Sequence, residues 1–148
     1  MASHRLFQRS FDALPAIVDF TAEVFAREGI DPSLRTVIDL AIEELFTNMV
    51  KYSPGSKADV RIEIAGIDRG VEVTLIDYNV ERFDVTAARD VDVSLPIEQR
   101  KPGGLGLHLI RRLLDFIEYE YQEASRQSRI TFRKTQAEAQ GEVHTKGG

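Results

Sequence analysis

The chain has 148 residues, of which 43% are hydrophobic, and its formal net charge is -5. This length suits one domain. The acidic balance argues against unspecific binding to nucleic acid, which needs clustered lysines and arginines. Cysteine is absent, which excludes disulfides, thiolate metal sites and cysteine nucleophiles. No apolar run approaches the ~20 residues that span a bilayer, and no apolar segment follows residues 1–5, so we expect a cytoplasmic chain without a membrane segment.

Hydrophobic periodicity predicts the elements of the first half of the chain. In chain order, we expect a strand over residues 5–10, a helix over 14–28 that Gly29 ends, and a second helix from Asp31-Pro32 to about Tyr52. Two alternating strands then follow, over residues 60–64 and 71–75, joined by a turn across 66–70.

The periodicity disappears after Asp77, through residues 78–102, and an irregular segment of this length is usually a functional loop or a lid. A glycine run then leads into an apolar helix over 107–114, and strands around 117–121 and 130–132 follow. We expect a single domain over residues 1–135 and a polar, disordered tail over 136–148. Hairpin strands and three amphipathic helices predict an α+β two-layer sandwich, with a mixed or antiparallel sheet covered on one face.

Two polar residues of the second predicted helix are candidates for chemistry. Glu44 and Asn48 are four residues apart, so they lie on one face, one turn apart. The amide oxygen of asparagine can bind Mg²⁺, and glutamate can accept a proton. Glu43 is rotated off this face, so we prefer Glu44 as the working carboxylate. The alternative interpretation is a solvated helix edge that carries two polar residues.

Two further features lie on either side of the irregular segment. Asp77 ends an apolar strand, where its carboxylate could accept a hydrogen bond from an amino group or simply begin a turn. Residues 103–106 read Gly-Gly-Leu-Gly and open a helix, where free N–H groups and the helix dipole favour a phosphate. The run is neither a Walker loop nor a dinucleotide fingerprint, and it could equally be a flexible hinge.

The order of these features resembles a known family. A helix with Glu-x-x-x-Asn, a strand ending in Asp, a long loop and Gly-x-Gly opening a helix resemble the Bergerat ATP-binding fold of histidine kinases, type II topoisomerases and MutL-type proteins. Residues 44–52 look like the N box, and residues 103–110 like the glycine box, of the anti-sigma-factor serine/threonine kinases of the RsbW and SpoIIAB type. The resemblance covers roughly residues 5–134.

The resemblance implies a role for each matching residue. Glu44 would be the general base, Asn48 would hold Mg²⁺ against the phosphates of ATP, and Asp77 would bind the adenine amino group. The implied nucleotide-binding set is Asn48, Lys51, Asp77, Asn79, Arg100, Lys101, Gly103, Gly104, Leu105, Gly106 and Leu107.

The family usually has Asp-x-Gly where this chain ends the motif with Asn79, which tolerates positive φ but could crowd a nucleotide with its side chain. Arg100 and Lys101 would meet the γ-phosphate, or they are solvated charges of the lid.

The resemblance implies a kinase and anti-sigma factor in a partner-switching circuit. Such a protein phosphorylates a small STAS-type antagonist and sequesters a sigma factor or another target, and it tends to form a homodimer. It would contact neither nucleic acid nor membrane. The alternatives are a partner-binding module without phosphotransfer and a detached ATP-binding domain of a sensor kinase. None of His4, His108 and His144 lies in a helix pair that could carry a phospho-accepting histidine, so we do not expect a complete histidine kinase.

Overall fold

The computed structural model describes residues 2–53, 55–82 and 104–137. Its helices and strands are, in chain order, β1 (Ala2–Phe7), α1 (Leu14–Glu28), α2 (Arg35–Tyr52), β2 (Val60–Ile67), β3 (Gly70–Asp77), α3 (Gly104–Leu113), β4 (Phe116–Gln122) and β5 (Gln127–Thr135). The predicted lid over residues 78–102 lies outside the described residues from residue 83 onward, and so does the predicted tail from residue 138.

The five strands form one antiparallel sheet in the order β1-β2-β3-β5-β4. In the pairing of β2 with β3, Ile62 lies opposite Leu75 and Ile64 opposite Val73, so these four side chains share one face. All four are fully buried in one core together with residues of the three helices. The predicted α+β sandwich, with three helices on one face, is therefore confirmed, and the sheet is of the antiparallel kind.

Local sequence signals set the ends of the first two helices. Gly29 ends α1 in the left-handed conformation, with φ 66°, as predicted. Asp31 accepts a hydrogen bond from the Ser33 backbone N–H at 2.9 Å, but the turn it caps is a short 3-10 helix, Pro32–Leu34, which continues directly into α2. The second helix is thus where the sequence predicted it, apart from its tighter first turn.

Several predicted boundaries differ from the observed ones, and the first strand, for example, begins at residue 2 and not at residue 5. The first strand ends at Phe7 and not at residue 10, because Ser10 accepts a hydrogen bond from the Asp12 N–H and caps a short 3-10 turn. The turn between β2 and β3 is shorter than predicted, because Ile67 still pairs with Gly70. The third helix begins at Gly104, three residues earlier than predicted, so the glycines form its first turn.

The beginning of the predicted tail takes part in the fold. Gln136 donates its backbone N–H to the Arg69 carbonyl at 2.7 Å and its side-chain amide to Asp31 at 2.6 Å. None of the helices in the described part of the chain combines the length and the apolar character that crossing a bilayer requires.

Candidate functional site

Helix α2 buries one amide beside one carboxylate. Asn48 is 2% exposed, and its Nδ2 donates to Glu44 Oε2 at 3.4 Å. The Asn48 Oδ1 atom is buried without a hydrogen-bond partner in the described part of the chain. A buried acceptor left unpaired costs free energy, so it is a place where a ligand atom is expected.

The first turn of α3 lies against the same carboxylate. A Cβ added to Gly106 would overlap the carboxyl group of Glu44, lying 2.8 Å from Oε2. Glycine is therefore the residue that lets the two helices approach here. The contact brings the Glu44 carboxylate to the N-terminal end of α3, where backbone N–H groups are free of intrahelical partners.

The surroundings of Glu44 favour its neutral form. Burial raises the pKa of Glu44, the hydrogen bond from Asn48 and the charge of Lys51 oppose the rise, and the charge of Glu43 adds to it. Glu43 and Lys51 are themselves exposed. Of the neighbouring carboxylates Glu43 and Glu44, Glu44 is thus the partly desolvated one, as a proton acceptor would need to be.

Asp77 is paired with an arginine that the sequence analysis did not single out. The Arg9 Nη2 atom donates to Asp77 Oδ1, and Nη1 lies 3.5 Å from Oδ2. Both side chains are buried, at 7% and 3% exposed. Burial raises the pKa of Asp77, and the hydrogen bond and charge of Arg9 oppose this rise. The carboxylate expected to receive an adenine amino group is therefore already the acceptor for a guanidinium.

The Arg9 guanidinium also bonds to two other segments. Nη1 donates to the Met49 carbonyl in the last turn of α2, and Nη2 donates to Ser56 Oγ, both at 3.2 Å. Ser56 in turn donates to the Tyr78 carbonyl at 2.7 Å. No local sequence signal points to Arg9, because the sequence pattern places it only near the end of the first predicted strand.

Asn79 adopts the backbone conformation that glycine would normally supply. Its φ is 58°, as expected from the replacement, and its side chain is exposed. The next residue is fixed, because the Val80 N–H donates to the Arg126 carbonyl at 3.0 Å and the Tyr121 hydroxyl donates to the Val80 carbonyl at 2.7 Å. The end of β3 is thus held against the β4–β5 hairpin.

The described part of the glycine box is placed by α3. Leu107 is 7% exposed and belongs to the core, and Gly104 is the first residue of the helix. Arg100, Lys101, Gly103 and the side chain of Leu105 lie outside the described residues. The structure thus brings Glu44, Asn48 and Gly106 together, with Lys51 near enough to influence Glu44, and it pairs Asp77 with Arg9.

The donors beside Glu44 fit a magnesium ion that is shared with phosphates. Asn48 Oδ1 is an unpaired oxygen of the kind that Mg²⁺ accepts, and the ion usually takes few protein ligands. Within residues 2–53, 55–82 and 104–137, no group of three or more acidic or histidine side chains could enclose a metal ion. A single amide oxygen of this kind would fit an ion that is also held by the phosphates of a ligand.

Comparisons with known proteins agree with this geometry. Residues 7–134 match the Histidine kinase-like ATPase domain family. The chain is 32% identical over 85 residues to the serine-protein kinase RsbW of Halalkalibacterium halodurans, covering 55% of this chain and 52% of RsbW. It is 25% identical over 99 residues to the serine/threonine-protein kinase BtrW of Bordetella bronchiseptica, covering 66% of this chain and 69% of BtrW. The match thus spans about half the length of RsbW.

A solved structure supports the fold alone. The Acinetobacter baumannii histidine kinase AdeS aligns with a TM-score of 0.51 and 15% identity, over 92% of this chain and 68% of that chain. The family match includes the N-box helix, β3 and the described part of the glycine box. The chain therefore belongs to the Histidine kinase-like ATPase domain family, and the resemblance noted in the sequence is confirmed.

Proposed function

We propose that the chain is a protein serine/threonine kinase that transfers the γ-phosphoryl group of ATP to a hydroxyl of a partner protein. The observation that carries this proposal is the Glu44–Asn48 pair packed against Gly106 at the start of α3. The names of the two relatives, a serine-protein kinase and a serine/threonine-protein kinase, support the same class of reaction.

Different residues would bind different parts of ATP. Asn48 would hold Mg²⁺ through its unpaired Oδ1, and the ion would neutralise charge on the phosphates. Gly104 and Gly106 would present the free N–H groups of α3 to the same phosphates. Asp77 would accept a hydrogen bond from the adenine amino group. Lys51, exposed on α2, adds positive charge on the Glu44 side.

Glu44 would act on the incoming hydroxyl. As the hydroxyl oxygen forms its bond to the γ-phosphorus, the bond to the leaving ADP oxygen breaks, and the hydroxyl proton passes to the Glu44 carboxylate. A raised pKa makes this carboxylate a stronger proton acceptor than an exposed glutamate. Most of the remaining rate enhancement would come from positioning and charge neutralisation.

We also propose which proteins this kinase would bind. The resemblance to the RsbW type favours a small STAS-type antagonist as the phosphorylated protein, with a sigma factor or another target as its competitor. This circuit operates in the cytoplasm, and a homodimer is the form expected from the same resemblance. A pull-down from cell extract, with and without ATP, would identify the competing protein.

The deciding experiment replaces the proposed base. Glu44→Gln keeps the size of the side chain but removes the proton acceptor, so ATP and the antagonist should still bind while phosphoryl transfer falls by about 10²- to 10⁴-fold. The measurement is transfer of labelled phosphate from ATP to candidate antagonists. Glu43→Gln is the matched control, because Glu43 is adjacent but exposed and lies off the Asn48 face.

Two outcomes would contradict the proposal. Transfer at the wild-type rate by Glu44→Gln would reduce Glu44 to a structural helix residue. A wild-type chain that holds ATP firmly but phosphorylates no antagonist would be a nucleotide-binding partner module.

A further inference from the structure

Arg9 occupies an acceptor position on each oxygen of Asp77. An ionised carboxylate offers about four lone-pair sites. The Arg9 Nη2 atom donates to Oδ1, and Nη1 lies at the long end of hydrogen-bond distance from Oδ2, at 3.5 Å. The guanidinium thus spans the two oxygens of a carboxylate whose side chain is 3% exposed.

Arg9 is held so that it cannot readily release these positions. Besides Asp77, its guanidinium donates to the Met49 carbonyl and to Ser56 Oγ, each at 3.2 Å. These contacts come from α2 and from the loop after it, so the guanidinium is bonded to two segments besides β3. The planar fork of arginine suits such bridging, whereas a lysine ammonium is a single point donor.

Arg9 also supplies a positive charge that favours the ionised form of Asp77. Its other hydrogen-bond acceptors in the described part of the chain, the Met49 carbonyl of α2 and Ser56 of the following loop, are neutral, and so is Ser128, the cross-strand neighbour of Asp77 on β5. Burial raises the pKa of Asp77, and Arg9 opposes the rise. Arg9 therefore both favours the charged carboxylate and spans its two oxygens.

We propose that Arg9 determines base specificity by spanning both oxygens of Asp77, so that a base can use one acceptor position but not the two oxygens together. The amino group of adenine needs one acceptor and can use a remaining position on one oxygen. Guanine would approach a carboxylate with two adjacent donors, N1–H and N2–H, and this pair needs both oxygens. The inference rests on the proposed function, in which Asp77 receives the base.

The test compares two nucleotides with one arginine changed. Binding of ADP and GDP, each with Mg²⁺, is measured by titration calorimetry for the wild type and for Arg9→Lys. Lysine keeps the charge but cannot span both oxygens, so it frees an acceptor position. The wild type should prefer ADP by on the order of 100-fold, and Arg9→Lys should lower this preference at least about tenfold, mainly by tightening GDP.

Controls separate this inference from the proposed function. Arg5→Lys changes an exposed arginine of β1, which pairs with Glu23, and should leave the ADP preference unchanged. Arg9→Gln, confirmed as folded by circular dichroism, should also lose the preference. An unchanged preference in folded Arg9→Lys would overturn the inference while leaving ATP binding intact. A wild-type chain that binds neither nucleotide would overturn both the inference and the proposed function.

Discussion

At the scale of residues, the candidate site is built from polar groups that the fold leaves incompletely satisfied. Asn48 is 2% exposed, and its amide nitrogen has a partner in Glu44, while its oxygen has none among the described residues. A buried unpaired acceptor costs about 1–3 kcal/mol. The unpaired oxygen of Asn48 therefore lowers the stability of the fold unless a ligand atom bonds to it, which favours a binding role for this residue.

The first prediction tests that bond. Asn48→Ala should remove the magnesium dependence of ATP binding, because it deletes the Oδ1 atom that we assign to the ion. Thermal stability should change little, since the lost bond to Glu44 is offset by removal of the unpaired oxygen. Calorimetric titration with ATP, with and without Mg²⁺, measures the effect.

A neighbouring substitution controls for damage to the helix. Thr47→Ala removes a hydroxyl that, among the described residues, donates to the Glu44 backbone carbonyl at 3.1 Å, so the magnesium effect should persist. Retention of the full magnesium dependence in Asn48→Ala would exclude this residue as the ligand.

Local spacing predicted some of these residues and could not predict others. Glu44 and Asn48 are one helical turn apart, so their juxtaposition followed from the sequence once α2 was recognised. The positive φ of Asn79 followed from its place in the motif. The partner of Asp77 did not, because Arg9 lies 68 positions earlier in the chain and reaches Asp77 only through tertiary packing.

At the scale of elements, periodicity predicted the interiors and capping decided the ends. The core faces of α1 and α2 were predicted from apolar spacing, and their residues are buried as expected. β1 ends early because Ser10 serves the following turn, and α3 starts early because its glycines take helical conformation. The contact between α2 and α3 was not predictable, since it depends on how two helices 52 positions apart in sequence pack on one sheet.

The second prediction concerns this contact. Gly106→Ala places a Cβ where the Glu44 carboxyl group lies, so Glu44 must move away from the start of α3. We expect phosphoryl transfer to fall by about tenfold or more, since small misplacements of reacting groups are costly. Helix propensity works in the other direction, because alanine favours a helix over glycine by about 1 kcal/mol.

If Gly106→Ala lowers phosphoryl transfer but does not lower thermal stability, then the loss of transfer comes from the displaced Glu44 and not from unfolding. The activity is measured by phosphate transfer and the stability by thermal unfolding. Gly55→Ala is the control, because a Cβ at Gly55 meets no atom within 4 Å. Unchanged activity in Gly106→Ala would show that Glu44 does not need its place beside α3.

At the scale of the whole molecule, three partly desolvated carboxyl groups, two of them in the candidate site, reduce stability at neutral pH. Burial raises the pKa of Asp39, Glu44 and Asp77. The folded state therefore binds protons more tightly than the unfolded state at these groups. Their contribution to stability is full below the unfolded pKa values and is lost as pH rises through the folded values. Proteins commonly accept such a cost where function needs a desolvated charge.

The last prediction applies this pH dependence of stability to Glu44 alone. Glu44→Gln removes a partly desolvated charge and keeps an amide oxygen that can accept the Asn48 bond. At pH 8 the variant should unfold at a temperature higher than the wild type by on the order of 2 °C. At pH 5 the difference should shrink, because the wild-type carboxyl, whose ordinary pKa is 4.5, is protonated more readily in the folded state and recovers its stability. Glu43→Gln, at the exposed neighbouring position, is the control, and its unfolding temperature at pH 8 should change less than that of Glu44→Gln. Calorimetric melts of all three proteins at both pH values decide the matter. A variant that is less stable than the wild type at pH 8 would mean that the Glu44 carboxylate stabilises the fold and is not held there for proton transfer.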